Sequence, residues 1–351
     1  MSSGRIYGFA VLGCGVISDT HCDAITRLPQ ARLVAVADKC QEAAQAKAEQ
    51  WGCEWFTDVD EVLAREDVDV VNVVVPSGLH AQIGVRAAQA GKHVICTKPL
   101  DITLEAVDEL ILACRRAGVK LGATHQFRSY PVFNRIKQAI EDGRMGRPLY
   151  ANAFVPWYRS PEYYAGSWHG TRALDGGGAL MNQSIHYLDL LLWLFGDVAE
   201  VSGFADTLLH DIEVEDCGSA ALRFRNGAQG VIQGTTLTYL GKPARLEVHC
   251  ERGNAVVAGD EMQLWEVEGE EREWQPAAGR SGAAADPRDG MLGLAVQAHM
   301  EQIADVLQAI EEDREPKLSG VEARRAVELI LAVYKSSEEG RRVRLPLKPA
   351  P

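Results

Sequence analysis

An apolar run from Ile6 to Leu12 breaks into Gly13-Cys14-Gly15-Val16-Ile17-Ser18, and Asp38 stands twenty residues past Ser18. That order reads as strand, tight turn, helix, second strand and acid. Glycine suits the turn because a backbone without Cβ can bend sharply and come close to a pyrophosphate. A helix starting near Val16 offers unpaired N–H groups and the positive end of its dipole to the phosphates. Asp38 closes a second apolar strand, Leu33 to Ala37, where a carboxylate can accept both hydroxyls of an adenosine ribose. The spacing predicts a bound dinucleotide contacted by Gly13, Cys14, Gly15, Val16, Ile17 and Asp38. The charge of Asp38 repels a 2′-phosphate, which favours NAD over NADP; the neighbouring Lys39 offsets part of that repulsion.

The first half alternates the two patterns that a doubly wound parallel sheet requires. Strands are predicted at 6–12, 32–37, 53–56, 69–75, 93–96 and 119–123, with helices at 17–27, 41–51, 59–64, 79–90 and 103–117. A helix over 131–142 leads into a turn-rich stretch, 143–148, and the pattern then changes. An extended piece (149–157) and an apolar helix (179–195) precede candidate antiparallel strands at 198–205, 217–225, 228–239, 244–250, 254–258 and 262–268. Residues 276–290 read as a mobile loop, and helices at 293–312 and 320–339 close the chain. The expected architecture is an α/β Rossmann domain over 1–125, then an α+β domain over 126–351 with a large, mostly antiparallel open sheet. The closing helices are free to pack back on the first domain.

A length of 351 residues exceeds one ordinary core and calls for two domains. The net charge of −13, with no basic cluster, argues against nucleic acid as a partner. No apolar run is long enough to cross a bilayer, and the first strand begins too soon to leave room for a signal peptide. The eight cysteines include no CxxC pair and no metal-ligand spacing. The chain therefore reads as reduced, cytoplasmic and without a metal. A broad sheet with one uncovered face predicts a homodimer or homotetramer.

In an open parallel sheet the ligand lies across the carboxyl ends of the strands. Pro76, Ser77 and His80 follow the fourth strand, Lys98 follows the fifth, and Gln126 and Arg128 follow the sixth. Pro76, Ser77, His80, Lys98 and Gln126 are expected at the cofactor, and Lys98 and Arg128 at a substrate. Farther on, Asp175-Gly176-Gly177-Gly178 opens the apolar helix, on which Asn182, His186 and Asp189 recur at i, i+4 and i+7 as one polar stripe. The glycines read as room for a ligand to approach the backbone. Between these segments stand Trp157, Tyr158, Tyr163, Tyr164 and Trp168, interleaved with Arg159, His169 and Arg172. Such rings stack on a sugar or nucleotide, and such cations take a carboxylate or phosphate. Trp157, Arg159, Tyr163, Tyr164, Trp168, Asn182 and His186 complete the expected substrate site.

Together these residues resemble the Gfo/Idh/MocA family of NAD(P)-dependent oxidoreductases, which act mostly on sugars and cyclitols. Thr97-Lys98-Pro99 is similar to the family's Glu-Lys-Pro, with threonine for glutamate. Asn182-Gln183-Ser184-Ile185-His186 is similar to its Asp-x-x-x-His, with asparagine for aspartate. The resemblance implies proton transfer by Lys98 and His186, NAD as cofactor, and a sugar or nucleotide sugar as substrate. Arg159-Ser160-Pro161-Glu162-Tyr163-Tyr164, Met181-Asn182-Gln183 and Ile212-Glu213-Val214-Glu215-Asp216 resemble a subgroup that oxidises the 3-hydroxyl of UDP-N-acetylglucosaminuronate. Alternatives on the same fold are an inositol or hexose dehydrogenase, a glycosidase that retains its NAD, and a non-catalytic NAD-binding regulator.

Overall fold

The computed structural model describes residues 5–275, 292–348 and 351. The chain divides into two compact units, Met1–Gln126 with Leu292–Arg324 and Ala350–Pro351, and Phe127–Met291 with Arg325–Pro349. The loop predicted at 276–290 lies outside the described residues. No helix among the described residues is long and apolar enough to cross a membrane.

In the first unit the strands are β1 (Tyr7–Leu12), β2 (Ala31–Ala37), β3 (Glu54–Phe56), β4 (Val70–Val73), β5 (His93–Thr97) and β6 (Leu121–Thr124). They form one parallel sheet in the order β3-β2-β1-β4-β5-β6. The order reverses direction between β1 and β4, the place where doubly wound sheets open a ligand crevice. Helices α1 (Ser18–Arg27), α2 (Gln41–Trp51), α3 (Val59–Leu63), α4 (His80–Gln89) and α5 (Leu104–Ala117) connect the strands. β1 and β4 are buried along their whole length, which is why their sequences run apolar instead of alternating. The sixth strand starts at Leu121 and not at 119, because Gly118 takes a left-handed φ of 69° to end α5 and the chain needs two more residues to reach the sheet.

The helix Leu292–Glu311 completes this unit. Its Ile303, Val306 and Leu307 share a core with Phe9, Val11, Cys22, Ile25 and Ile95. A Cβ at Gly122 on β6 would come within 2.5 Å of the Val306 side chain, so that glycine is what lets this helix rest on the sheet.

The second unit holds α6 (Pro131–Glu141), β7 (Pro148–Pro156), α7 (Pro161–Tyr164), α8 (Ile185–Phe195), β8 (Val198–Asp206), β9 (Cys217–Phe224), β10 (Gln229–Thr235), β11 (Arg245–Cys250), β12 (Gly253–Ala258), β13 (Glu261–Val267), β14 (Glu273–Trp274) and β15 (Val343–Arg344). Nine strands make one sheet, β14-β13-β12-β11-β7-β10-β9-β8-β15, antiparallel except where β7 meets β10. Alternate residues of β9 and β10 are buried and exposed, the mark of a sheet covered on one face. The strand predicted at 228–239 ends at Thr235. Beyond it the amide of Thr236 donates to the carbonyl of Asp216 at 2.9 Å, and Leu240 and Gly241 bend away with φ of 62° and 58°.

The apolar helix predicted over 179–195 begins instead as a π-helical turn, Ala179–Ser184, and becomes α-helical only at Ile185. The floor beneath it explains how it fits. Gly218 of β9 and Gly234 of β10 are paired directly across the ladder. A Cβ on Gly218 would come within 2.6 Å of Leu180, and one on Gly234 would overlap the Ser184 hydroxyl. Two facing glycines therefore sink the turn into the sheet.

Candidate active site

In the first unit the fingerprint turn leaves β1 at Gly13, whose φ is 105°. Only glycine adopts that conformation readily, and a Cβ there would also lie 2.5 Å from the Val74 carbonyl oxygen. Gly15 differs: a Cβ on it would meet nothing within 4 Å, so its outer side is open. Val16 is 89% exposed ahead of α1, which fits a segment that awaits a partner. Asp38, at the end of β2, accepts the amide of Cys14 at 2.8 Å on Oδ2 and that of Cys40 at 2.9 Å on Oδ1. Each carboxylate oxygen is thus aimed by one backbone N–H and keeps a lone pair for a ribose hydroxyl. The open glycine, the excluded Cβ and the aimed carboxylate fit a dinucleotide. Lys39 beside them is exposed.

Burial raises the Cys14 thiol to about 12, so it stays a neutral apolar side chain under the turn. Changing Asp38 to alanine removes two charge-assisted acceptors, about 3 kcal/mol in all. NAD affinity should fall roughly a hundredfold and the NAD-to-NADP ratio should narrow. Titration of both reduced cofactors by fluorescence checks this; an unchanged ratio would refute the ribose role.

After β4, Pro76 is half-buried, Ser77 is buried, and His80 opens α4. Both ring nitrogens of His80 face backbone oxygens, Nδ1 at 2.6 Å from Pro99 and Nε2 at 2.7 Å from Val75. Burial lowers its pKa below the ordinary value, against the opposing pull of those carbonyls and of Asp101. After β5 comes half-buried Lys98, in cis linkage to Pro99. Thr97, where the family resemblance places glutamate, lies 3.3 Å from Thr124, hydroxyl to hydroxyl. Gln126, also half-buried, closes this part of the unit after β6.

In the second unit the π-helical turn changes the register that the sequence implies. Asn182, His186 and Asp189 are all buried, and each meets a different partner. The Asn182 amide donates to Asp175 at 2.5 Å. The His186 ring lies 4.8 Å from that of Phe127. Asp189 takes Arg128 in a bidentate pair, with both N···O distances 2.7 Å. Arg128, expected at a substrate, is committed to a buried counter-ion. Such π turns are often retained at functional sites because they re-aim side chains.

The aromatic segment gathers around Arg159, which is 8% exposed. Its guanidinium donates to the Gln183 side-chain oxygen at 2.6 Å and to the Tyr158 carbonyl at 3.0 Å, and it lies over the rings of Trp157 and Tyr163. Gln183 passes the contact on, donating to Asn182 and to the Tyr163 hydroxyl, each at 3.2 Å. Every partner of Arg159 among the described residues is neutral, and its Nε has none. Tyr164 donates its hydroxyl to Thr236 at 3.1 Å, and Trp168 stacks on His169 with ring centroids 4.0 Å apart.

The glycine run reads from sequence as an opening for a ligand, but the protein's own atoms occupy that space. A Cβ at Gly177 would overlap the Tyr334 hydroxyl, and one at Gly178 the Glu215 carbonyl. Glu215, buried, accepts the amides of Gly178 at 2.9 Å and Leu180 at 2.7 Å and the Tyr334 hydroxyl at 2.8 Å. Burial raises its pKa, and these donors hold it back. Its neighbour Asp216 accepts three successive amides, Leu208 to His210, at 2.7, 3.0 and 2.9 Å. In the sequence both acids stand out only within the stretch Ile212-Glu213-Val214-Glu215-Asp216. Two adjacent carboxylates opening an apolar strand were the signal for their structural work. Gln183 was equally legible, as a second amide inside a buried helix.

Comparison with known proteins agrees with this geometry. Residues 7–125 match the oxidoreductase family with an NAD-binding Rossmann fold, and residues 133–256 match the GFO/IDH/MocA C-terminal domain. The chain is similar to the WlbA dehydrogenase from Bordetella pertussis, solved with NADH and UDP-GlcNAcA (35% identity, TM-score 0.86, 98% of this chain and 100% of that one). The corresponding WlbA structure from Chromobacterium violaceum gives 33% identity and a TM-score of 0.86 over 99% and 98%. Inositol 2-dehydrogenase of Rhizobium meliloti (strain 1021) is 29% identical over 95% of this chain and 98% of its own length. A glycine turn that fits a dinucleotide, a matching NAD-binding Rossmann domain and a matching C-terminal domain in one chain lead to one assignment: the protein is an NAD-dependent oxidoreductase of the GFO/IDH/MocA family.

Proposed function

We propose that this enzyme oxidises a secondary alcohol of an acidic nucleotide sugar, with Lys98 as the primary catalyst and His186 as its partner in proton transfer. NAD, when bound, supplies the hydride acceptor. A lysine takes up a proton only from its neutral form, which burial and a neighbouring positive charge favour. An imidazole does so near neutral pH without such help.

The observation that carries the substrate reading is Arg159. A buried guanidinium whose partners among the described residues are all neutral keeps a charge that a carboxylate on the substrate would balance. Likeness to proteins solved with UDP-GlcNAcA supports the same class. Likeness to an inositol dehydrogenase favours a neutral polyol instead, and the two readings separate in one experiment. Formation of NADH is followed with UDP-N-acetylglucosaminuronate, UDP-N-acetylglucosamine and myo-inositol. The carboxylated sugar should be preferred, and Arg159→Leu should raise its KM roughly 10–100-fold, the worth of one charge-assisted contact, without changing the KM for NAD. Equal use of the uncarboxylated sugar would reject the reading.

We also infer self-association through the uncovered face of the nine-stranded sheet. There Phe204 is 72% exposed and Val231 41%, more apolar surface than a solvated face needs. The eight free cysteines suit the reducing cytoplasm.

A further inference from the structure

His80 joins two segments that the dinucleotide fold keeps separate. Val75, on its Nε2 side, adjoins the carbonyl of Val74 that excludes a Cβ from Gly13. Pro99, on its Nδ1 side, follows Lys98 directly. The ring is 1% exposed, so solvent cannot substitute for either contact. An imidazolium donates to both carbonyls at once, and the neutral ring to one of them. A second link runs in parallel: the amide of Ala81 donates to Asp101 Oδ2 at 2.9 Å, and the amide of Ile102 to Oδ1 at 2.7 Å. The first turn of α4 therefore grips the chain after Lys98 at two points. The titratable groups around the ring are Asp101, Lys98 and His21.

We propose that His80 is the positioning residue for Lys98, fixing the turn that carries the lysine against the end of β4. This rests on the reading of Lys98 as the proton-transfer group. It also gives His80 a role distinct from contact with the cofactor, because both of its nitrogens already face backbone oxygens.

His80→Leu removes both nitrogens, and His80→Gln restores one amide at similar reach. In protein labelled with [13C]lysine, the Cε signal of Lys98 is assigned by its disappearance in Lys98→Met. That signal should move and broaden in His80→Leu and return towards its original position in His80→Gln. With the best substrate of the panel above, kcat of His80→Leu should fall about tenfold and its pH profile should shift, while the Kd for NADH, read by fluorescence, stays within about threefold. An unmoved Lys98 signal with wild-type kcat would overturn the proposal. So would a loss of NADH affinity as large as the loss of kcat, which marks general damage to the domain. Should His80→Leu not fold, His80→Gln is judged alone by the same criteria. A fully active Lys98→Met overturns the reading of Lys98 and this proposal together; an inactive one beside an unaffected His80→Leu overturns this proposal alone.

Discussion

Lys98→Met is expected to lower turnover about 10²–10⁴-fold, the range that a positioned acid or base contributes, with NADH affinity almost unchanged. Methionine keeps the length and apolar stem of lysine and removes only the ammonium. The surroundings should tolerate it, since the turn has fixings of its own in the backbone of Pro99 and the carboxylate of Asp101. Steady-state kcat and a fluorescence titration with NADH decide the matter. Turnover like that of the wild type would remove Lys98 from the chemistry.

The two glycines of the fingerprint should differ in their effect on stability. Gly13→Ala places a methyl 2.5 Å from the Val74 carbonyl and forces a φ of 105° on a residue that resists it. Neither atom belongs to a flexible side chain, so the sheet itself must move, at a cost of about 3 kcal/mol or more. The melting temperature should fall by several degrees and NADH binding should be largely lost. Gly15→Ala adds a methyl to open space, so stability should hardly change. NADH affinity should still drop, because that space is where the backbone must approach the pyrophosphate. Calorimetry and NADH titration on the two variants test this. Equal melting temperatures would refute the steric account of Gly13.

The parts of this enzyme legible in its sequence are those where one residue type answers one local demand. Gly13 and Asp38 are of that kind: a turn with positive φ and an acid at a strand end are set by near neighbours in the chain. The segment around Asn182 is not. Its π-helical turn depends on Gly218 and Gly234, which are near it only in space, so periodicity alone suggests a regular helix from 179 onward. The same holds for Gly177 and Gly178. Their need for space was plain in the sequence, but Tyr334 and Glu215, which fill it, come from distant positions. Arg159 falls between these cases. The mix of rings and cations marks a recognition surface, whereas the neutrality of its partners among the described residues needs the fold to be seen.

The facing glycines of β9 and β10 carry a consequence for how such an enzyme can vary. A single methyl added to either one, beneath the helix, would lift Leu180 or Ser184 and tilt the residues that follow. Variation that spares every reactive group can therefore still silence the protein, and drift in the sheet interior should be as restricted as drift among the groups that handle substrate.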